Sequence, residues 1–449
     1  MNSFRSLCDL PNWPKDEVLF QGSAVATTVA DVLGLTRALV VELAERKRRG
    51  DVRRIAIACE DPSAFLASLL ACFACRVTTI LPGVTSPGGL TNRADQFDHL
   101  ITDTEIARLF SAAQISDGAV DLPEAAECNL VFFTSGSTAA PQPIPKSWRQ
   151  IEAEAETLQQ QFGSDVAGAR VVATVPHHHI YGILFNLVWP LATGRALFVP
   201  RQISVDAALD HAEQCPTVIV SCPAHMMRLG SRPVSERAPV MVFSSGAPLM
   251  ADSARAMAQI SGSFPVEVYG STETGGIGFR TQAVSDQKWT VFPGVDVRYA
   301  SSGCLAVRSA VTPGADWFET SDLCTLSPDG LRFQLGGRND RVLKIEGVRV
   351  SLPRIEALAQ ANSCVLEAAA LGVDTDKGQK LAMVATLTPE GEQLLQSKGK
   401  FRLERVLSTA IRTAENAASA PKLWRFVREI PTNERGKRQA AALAALFSG

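Results

Sequence analysis

The feature that most constrains this chain is the regular exchange of short apolar, β-branched runs with helical runs. RRIAIACE (53–60) precedes SAFLASLLACFAC (63–75) and VTTILPG (77–83). Further on, ECNLVFFTSG (127–136) precedes KSWRQIEAEAETLQQQF (146–162) and ARVVATVP (169–176). A strand with one wet face alternates apolar and polar residues, whereas a strand covered on both faces is apolar throughout. Uninterrupted strand runs between helices therefore predict an α/β fold with buried, mostly parallel strands.

At 449 residues the chain is too long for one ordinary core and suits a large domain with a smaller one. The pattern changes after about residue 285, where short alternating strands and turn residues (Ser301-Ser302-Gly303, Asp329-Gly330) predict an antiparallel subdomain. GGRND (336–340) is a polar, glycine-rich break. The expected division is a core domain over residues 1–339 and a small C-terminal domain over 340–449.

A formal net charge of −2 argues against a chain-wide basic footprint for nucleic acid. No run approaches the roughly 18 apolar residues of a membrane span. The first residues, MNSFRSLCDLPNWPKDEV, do not read as a secretory leader, so a cytoplasmic protein is expected. Ten cysteines are scattered, and the one C-x-x-C, Cys72 and Cys75, sits in an apolar helical run that reads as packing.

Seven segments carry chemical possibilities. In VFFTSGSTAAPQPIPK (131–146) an apolar strand ends in Thr134, Ser135, Gly136, Ser137 and Thr138. Hydroxyls and closely approaching backbone N–H groups suit phosphate oxygens, although no G-K-[ST] follows as in a Walker loop. VPHHHIYGILFNLVWPLATG (175–194) holds three successive histidines. Neighbours on an extended chain face opposite ways and converge poorly on one metal, so a histidine bordering an aromatic pocket is the better reading. VMVFSSGAPL (240–249) and VEVYGSTETGG (266–276) are strands running into polar loops. Within the latter, Tyr269 could stack on a base, Thr272 could bond a phosphate and Glu273 could hold a hard cation. ETSDLC (319–324) offers Asp322 to ribose hydroxyls. GGRNDRVLKIEGVRV (336–350) and PTNERGKRQ (431–439, with Lys437) complete the series.

Taken in order, these segments resemble the adenylate-forming superfamily of acyl-CoA synthetases, adenylation domains and luciferases, over residues 55 to 440. The resemblance implies a large N-terminal α/β domain of mixed, mostly parallel sheets flanked by helices, with a small β-barrel-like subdomain. A small, mobile α+β C-terminal domain follows. It implies ATP and Mg2+ as cofactors and a small carboxylic acid as substrate. Thr134 to Thr138 match the phosphate loop, and His179 matches the residue bordering the acyl pocket and thiol tunnel. Gly246 and Ala247 match the stretch lining adenine and substrate. Tyr269, followed by Gly270, matches the adenine contact, Thr272 the phosphate contact and Glu273 the magnesium ligand. Asp322 and Arg338 match the ribose contacts, Asp340 the hinge, and Lys437 the adenylation lysine. His179, Tyr181, Phe185 and the strand ends near Ser221 to His225 and Ser244 to Ala247 are expected to shape the acid pocket.

The chain departs from the superfamily pattern where the phosphate loop's usual Gly and Lys are Ala139 and Gln142. Its short form, with FTSGST, PIPKSW and VPHHHIYG, resembles the ligases of aryl-polyene and xanthomonadin-type pigment clusters. That likeness implies transfer of a hydroxybenzoate-type acid to an acyl carrier protein. The alternatives are a CoA ligase sharing the first step, a non-catalytic module that keeps the fold, and a luciferase-like oxygenase, for which no segment marks oxygen chemistry.

Overall fold

The structure, a computed structural model, describes residues 4–447 apart from 24, 84, 86–89, 92, 113–118, 135–141, 231, 285–286, 315, 346–347, 376–377, 415–419 and 433–437. The chain forms two compact units. One takes in the chain up to residue 135, Pro141–Asp296 and Val307–Phe318; the other takes in Val297–Ala306 and Glu319–Gly449.

The first unit holds two sheets. One contains β3 (Arg54–Ile57), β4 (Thr78–Leu81), β5 (His99–Ile101), β6 (Asn129–Thr134) and β7 (Gln142–Ser147), in the order β5-β3-β4-β6-β7. All its pairs are parallel except β6–β7, a hairpin placing Thr134 opposite Gln142 and Leu130 opposite Lys146. The other sheet contains β1 (Val18–Gln21), β2 (Ala26–Thr28), β8 (Arg170–Ala173), β9 (Leu197–Phe198) and β10 (Thr217–Ser221). It continues with β11 (Met241–Ser244), β12 (Val266–Ser271), β13 (Gly275–Thr281) and β14 (Trp289–Val291). Their order is β14-β13-β12-β11-β10-β8-β9-β1-β2. At its centre β8, β10, β11 and β12 run parallel, as the continuous apolar runs predicted, and β12 turns back antiparallel into β13.

Local signals start the helices. Asp61 caps Pro62–Ala74 by accepting from the N–H groups of Ser63 and Ala64, and Pro62 stands where a missing N–H costs nothing. Cys72 and Cys75 are buried in that helix and its cap, as free thiols among apolar neighbours. Trp148–Phe162 starts with a capping box, in which the Ser147 hydroxyl accepts from Gln150 N–H and the Gln150 side chain accepts from Ser147 N–H. Its apolar face buries Trp148, Ile151, Ala155, Leu158 and Phe162. Phe162 then packs edge-on against Phe243 and Phe279 with ring centroids 5.2 and 5.1 Å away, tying the helix to the parallel sheet.

In the later antiparallel region, β15 (Asp296–Tyr299), β16 (Cys304–Arg308), β17 (Phe318–Leu326) and β18 (Arg332–Arg338) run in the order β15-β16-β17-β18. The expectation of a small β-barrel-like subdomain is corrected here, because the strands lie in an open sheet with β15 at its edge. Closing a barrel requires matched tilt and register stagger around a ring. The tight turn at Asp329-Gly330 simply folds β18 back on β17.

The second unit continues with the hairpin β19 (Val342–Ile345) and β20 (Val348–Ser351). A sheet follows, with β21 (Val365–Thr375) antiparallel to β22 (Gly378–Leu387) and β23 (Leu423–Phe426) parallel to β22. Helices Leu352–Gln360 and Lys400–Ala414 bury Ile355, Leu403, Leu407 and Ile411 with Trp424 in a separate core. Among the described residues, no helix is long and apolar enough to cross a membrane.

Candidate active site

Four parallel strands, β8, β10, β11 and β12, end along one edge of the large sheet. In an open α/β sheet the carboxyl ends of the strands are where ligands bind, because loops converge there without crossing the packed layers. This edge gathers the His177–His179 turn, the Cys222–His225 turn, the Ser245–Leu249 loop and the Tyr269–Gly276 loop.

The Tyr269–Gly276 loop shows the clearest division of labour. Ser271 and Thr274 are spent on the turn itself. Ser271 N–H donates to the Thr274 hydroxyl at 3.2 Å, Thr274 N–H donates to the Ser271 hydroxyl at 3.2 Å, and the two hydroxyls lie 3.0 Å apart. The Thr274 hydroxyl also donates to Gly275 O at 2.9 Å. Between them, the Thr272 hydroxyl and the half-buried Glu273 carboxylate have no hydrogen-bond partner among the described residues, and Lys146 attracts the Glu273 carboxylate from beyond ion-pair distance. A bulge between Tyr269 and Gly270 re-aims this end of β12. Gly270 is required there, because a Cβ would lie 2.2 Å from Gly275 O.

Two buried charged side chains support the loop from behind, and sequence reasoning missed both roles. Lys146, on β7 and 3 % exposed, donates to the carbonyls of Glu273 at 2.8 Å and Val311 at 2.5 Å. Burial lowers its pKa to about 8 against the pull of Glu154 and Glu273. Glu154, on the helix after β7, accepts from Gly276 N–H at 2.6 Å. Its burial raises the carboxyl pKa to about 7, opposed by the Gly276 N–H and by Lys146. The Lys in PIPK is thus committed to backbone carbonyls. The only sequence signal was a lysine placed just inside a strand end.

Tyr269 is half-buried beside Trp289, ring centroids 5.5 Å apart, and the Arg280 guanidinium covers the same indole at 4.4 Å. Buried Glu267 takes Arg280 Nε at 2.9 Å, Gln282 Nε2 at 2.7 Å and Leu249 N–H at 3.3 Å. It thereby pins the loop carrying Gly246 and Ala247, both exposed, to β12 and β13. The Ser245 hydroxyl adds a bond to Val268 O at 2.8 Å. Gly246 turns the chain with φ +92°.

On the far side of the edge, the three histidine rings pack in succession, each nearly perpendicular to the next. His177 is a packing residue, its Nε2 3.0 Å from Cys59 O and its ring against Phe65; burial holds its pKa down. His179 is half-buried and stands at the N-cap position of Ile180–Ile183 without a side-chain capping bond. Gly182 is needed where that helix crosses the strand exit, since a Cβ would meet Pro176 O at 1.9 Å. The Tyr181 hydroxyl donates to Ser221 O at 3.1 Å, and the Tyr181 and Phe185 rings pack at a tilt with centroids 4.9 Å apart. Thr174, Ser221 and His225 form a chain of contacts, 2.8 Å between the hydroxyls and 2.8 Å from Thr174 Oγ1 to His225 Nδ1. The Ser244 hydroxyl is buried and has no partner among the described residues.

In the second unit, Asp322 on β17 stands directly opposite Arg338 on β18, with 3.8 Å between carboxylate and guanidinium. Asp340 lies in a single 3-10 turn, Asn339–Arg341, and its side chain is outside the described residues. Arg341 binds Glu356 at 2.6 Å, and Arg438 reaches the same carboxylate at 3.6 Å. Thr134 ends β6, while Ser135, Gly136, Ser137, Thr138 and Lys437 lie outside the described residues. Among the described residues no cluster of three metal-ligating side chains occurs. A cation bound between protein and phosphate needs fewer, and the uncommitted Glu273 oxygens on a clamped loop fit that mode.

Residues 116–301 match the family of AMP-binding enzymes. A 4-coumarate–CoA ligase of Rhodobacter capsulatus is 30% identical over 311 residues, 68% of this chain and 74% of the relative. A 4-coumarate–CoA ligase of Halorhodospira halophila is 29% identical over 336 residues, 74% of this chain and 81% of the relative. The fold is similar to that of ATP-bound MatB from Rhodopseudomonas palustris, with a TM-score of 0.76 at 17% identity over 98% of this chain and 99% of that one. It is equally similar to o-succinylbenzoate CoA synthetase from Bacillus subtilis bound to its acyl-adenylate, with a TM-score of 0.76 at 16% identity over 98% of each chain. This chain belongs to the AMP-binding enzyme family of the adenylate-forming superfamily. Its reaction class is that of a ligase, which activates a carboxylate as an acyl-adenylate and then forms a thioester.

Proposed function

We propose that the chain activates a small aromatic acid of the hydroxybenzoate type with ATP and Mg2+, and passes the acyl group to the phosphopantetheine thiol of an acyl carrier protein. One observation carries the adenylation part: within Ser271–Thr274 two hydroxyls hold the turn closed and leave Thr272 and Glu273 uncommitted. Such groups meet an incoming polyphosphate at no cost in broken protein bonds. In this reading Thr272 donates to the α-phosphate and Glu273 holds magnesium. Bound there, magnesium offsets the charge of two approaching anions. Tyr269 packs on adenine beside Gly270, Gly246 and Ala247. Asp322 accepts from ribose hydroxyls with Arg338 alongside. The loop of Thr134, Ser135, Gly136, Ser137 and Thr138 encloses the pyrophosphate that leaves.

Lys437 supplies the second positive charge, from a mobile domain of residues 340–449 that turns at Asp340 and withdraws it for thiol transfer. His179 borders the acid and the thiol path. Support for an aromatic acid comes from the Tyr181–Phe185 pair beside Ser221 and from the 4-coumarate relatives. The carrier protein rests on the short-form motifs shared with the pigment-cluster ligases, and a cytoplasmic location follows from the same reading. CoA as acceptor is the second reading, favoured by the relatives named as CoA ligases. The test offers the purified enzyme a panel of benzoic, cinnamic and fatty acids in ATP–pyrophosphate exchange, then CoA and phosphopantetheinylated carrier protein as competing acceptors. Faster acylation of the carrier protein supports the proposal; acylation of CoA alone replaces it with the second reading.

A further inference from the structure

We propose that Lys146 and Glu154 are positioning residues of the adenylation step: a buried clamp that holds the Thr272–Glu273 loop in the geometry required for phosphate and cation. The inference rests on the reading of Glu273 given above.

The clamp is defined by where its bonds fall. Lys146 holds the carbonyl of Glu273 itself, and Glu154 holds the N–H of Gly276, so the two side chains grip the loop on either side of Thr274. Ser271 and Thr274 close the turn internally but do not tie it to the rest of the fold. The clamp's other attachment is Val311, whose carbonyl accepts from Lys146 at 2.5 Å and from Gln150 Nε2 at 3.3 Å. Lys146, Gln150 and Glu154 lie at successive four-residue intervals, on the end of β7 and the first turns of Trp148–Phe162. Within the helix, Gln150 and Glu154 are four residues apart and share a face, and Lys146 precedes its cap at the end of β7. The end of β7 and the helix that follows it therefore hold the loop at two points, Glu273 O and Gly276 N–H.

Sterics reinforce the arrangement. A Cβ on Gly275 would lie 2.8 Å from Glu154 Oε2 and 2.9 Å from a Val311 methyl, so the loop's double glycine is shaped to these partners. A backbone carbonyl bound by an ammonium group is a fixed point, and it sets where the side chain of the same residue starts. Groups that orient a metal-binding side chain in this way change metal affinity on the order of 10- to 100-fold when removed. A lysine chosen only for stability would have no need to be desolvated against the backbone of the residue that faces the cation.

The experiment compares wild-type protein with Lys146→Met and Glu154→Ala. It measures the Mg2+ concentration for half-maximal pyrophosphate exchange, and hydrogen–deuterium exchange of the nucleotide-free full-length chain by mass spectrometry. Both variants are expected to raise the Mg2+ requirement about tenfold or more. Both should speed amide exchange in peptides spanning 270–277 while leaving the cores of the two sheets unchanged. Unaltered exchange at 270–277 in folded variants overturns the clamp. So does loss of protection spread evenly over the first unit, which would mark a general structural role. If Lys146→Met does not fold, Glu154→Ala is judged by the same two readouts. Glu273→Gln is run alongside: if it leaves the Mg2+ requirement unchanged, the metal reading fails, while the exchange of residues 270–277 still decides the clamp.

Discussion

The Nζ of Lys146 lies 2.8 Å from the carbonyl oxygen of Glu273, 127 residues further along the chain. The lysine stands on the hairpin that follows the hydroxyl-rich loop, and the glutamate on the loop that ends the parallel sheet. A single bond therefore couples two of the segments on which the resemblance rests.

The Glu273 carboxylate accepts no hydrogen bond among the described residues. Glu273→Gln keeps the shape and removes the charge, so the Mg2+ concentration for half-maximal pyrophosphate exchange is expected to rise about tenfold or more. Titration of Mg2+ at saturating ATP checks this; an unchanged midpoint excludes Glu273 as a ligand.

Lys437 enters only the first half-reaction in the proposed scheme. Lys437→Ala is therefore expected to lower adenylate formation on the order of 10²–10³-fold and to spare thioester formation from a supplied acyl-adenylate. Single-turnover measurements of the two steps make the comparison, and equal losses would contradict withdrawal of the small domain.

Glu154 makes stability depend on pH. Its carboxyl pKa is raised to about 7 from an ordinary 4.5, so between these values the folded state keeps a proton that the unfolded chain has released. The sign follows directly: this contribution is fully present below pH 4.5 and is lost as pH rises through about 7. The slope for one such group is at most about 1.4 kcal/mol per pH unit. Glu154→Gln cannot ionise and should flatten this part of the profile. Chemical denaturation at intervals from pH 4.5 to 8 tests it; parallel profiles for the two proteins would refute it.

Gly270 has no room for a side chain, because Gly275 O occupies the space. Gly270→Ala must move the loop, at a cost of about 1–3 kcal/mol, and displaces Thr272 and Glu273 with it. A lowered Tm together with weakened nucleotide binding is expected in calorimetry. A variant with normal Tm and normal binding would show that the loop relaxes freely.

The sequence expectations fared unevenly, and for identifiable reasons. Parallel buried strands were legible in RRIAIACE and ARVVATVP because burial on both faces leaves no polar alternation. The barrel-like subdomain was not, because the same short alternating strands serve an open sheet or a closed ring, and closure depends on stagger between strands far apart in sequence. Tyr269, Thr272 and Glu273 could be picked out by residue type. That Thr272 stays uncommitted while Thr274 is consumed could not, since both are threonines in one four-residue run.

What the sequence determined by itself is local and chemical: which segments are buried strands, where helices start, and which side chains carry hydroxyl, carboxylate or ammonium groups. Only the tertiary structure decided how those groups are spent. Lys146 had no role assigned by its residue type, and the fold makes it a buried anchor for the backbone of Glu273. Asp322 and Arg338, 16 positions apart, were brought face to face by the register of two antiparallel strands. In each case the deciding partner comes from another segment, and no local propensity specifies it. Packing fixes that partner when the sheets and helices close over their cores.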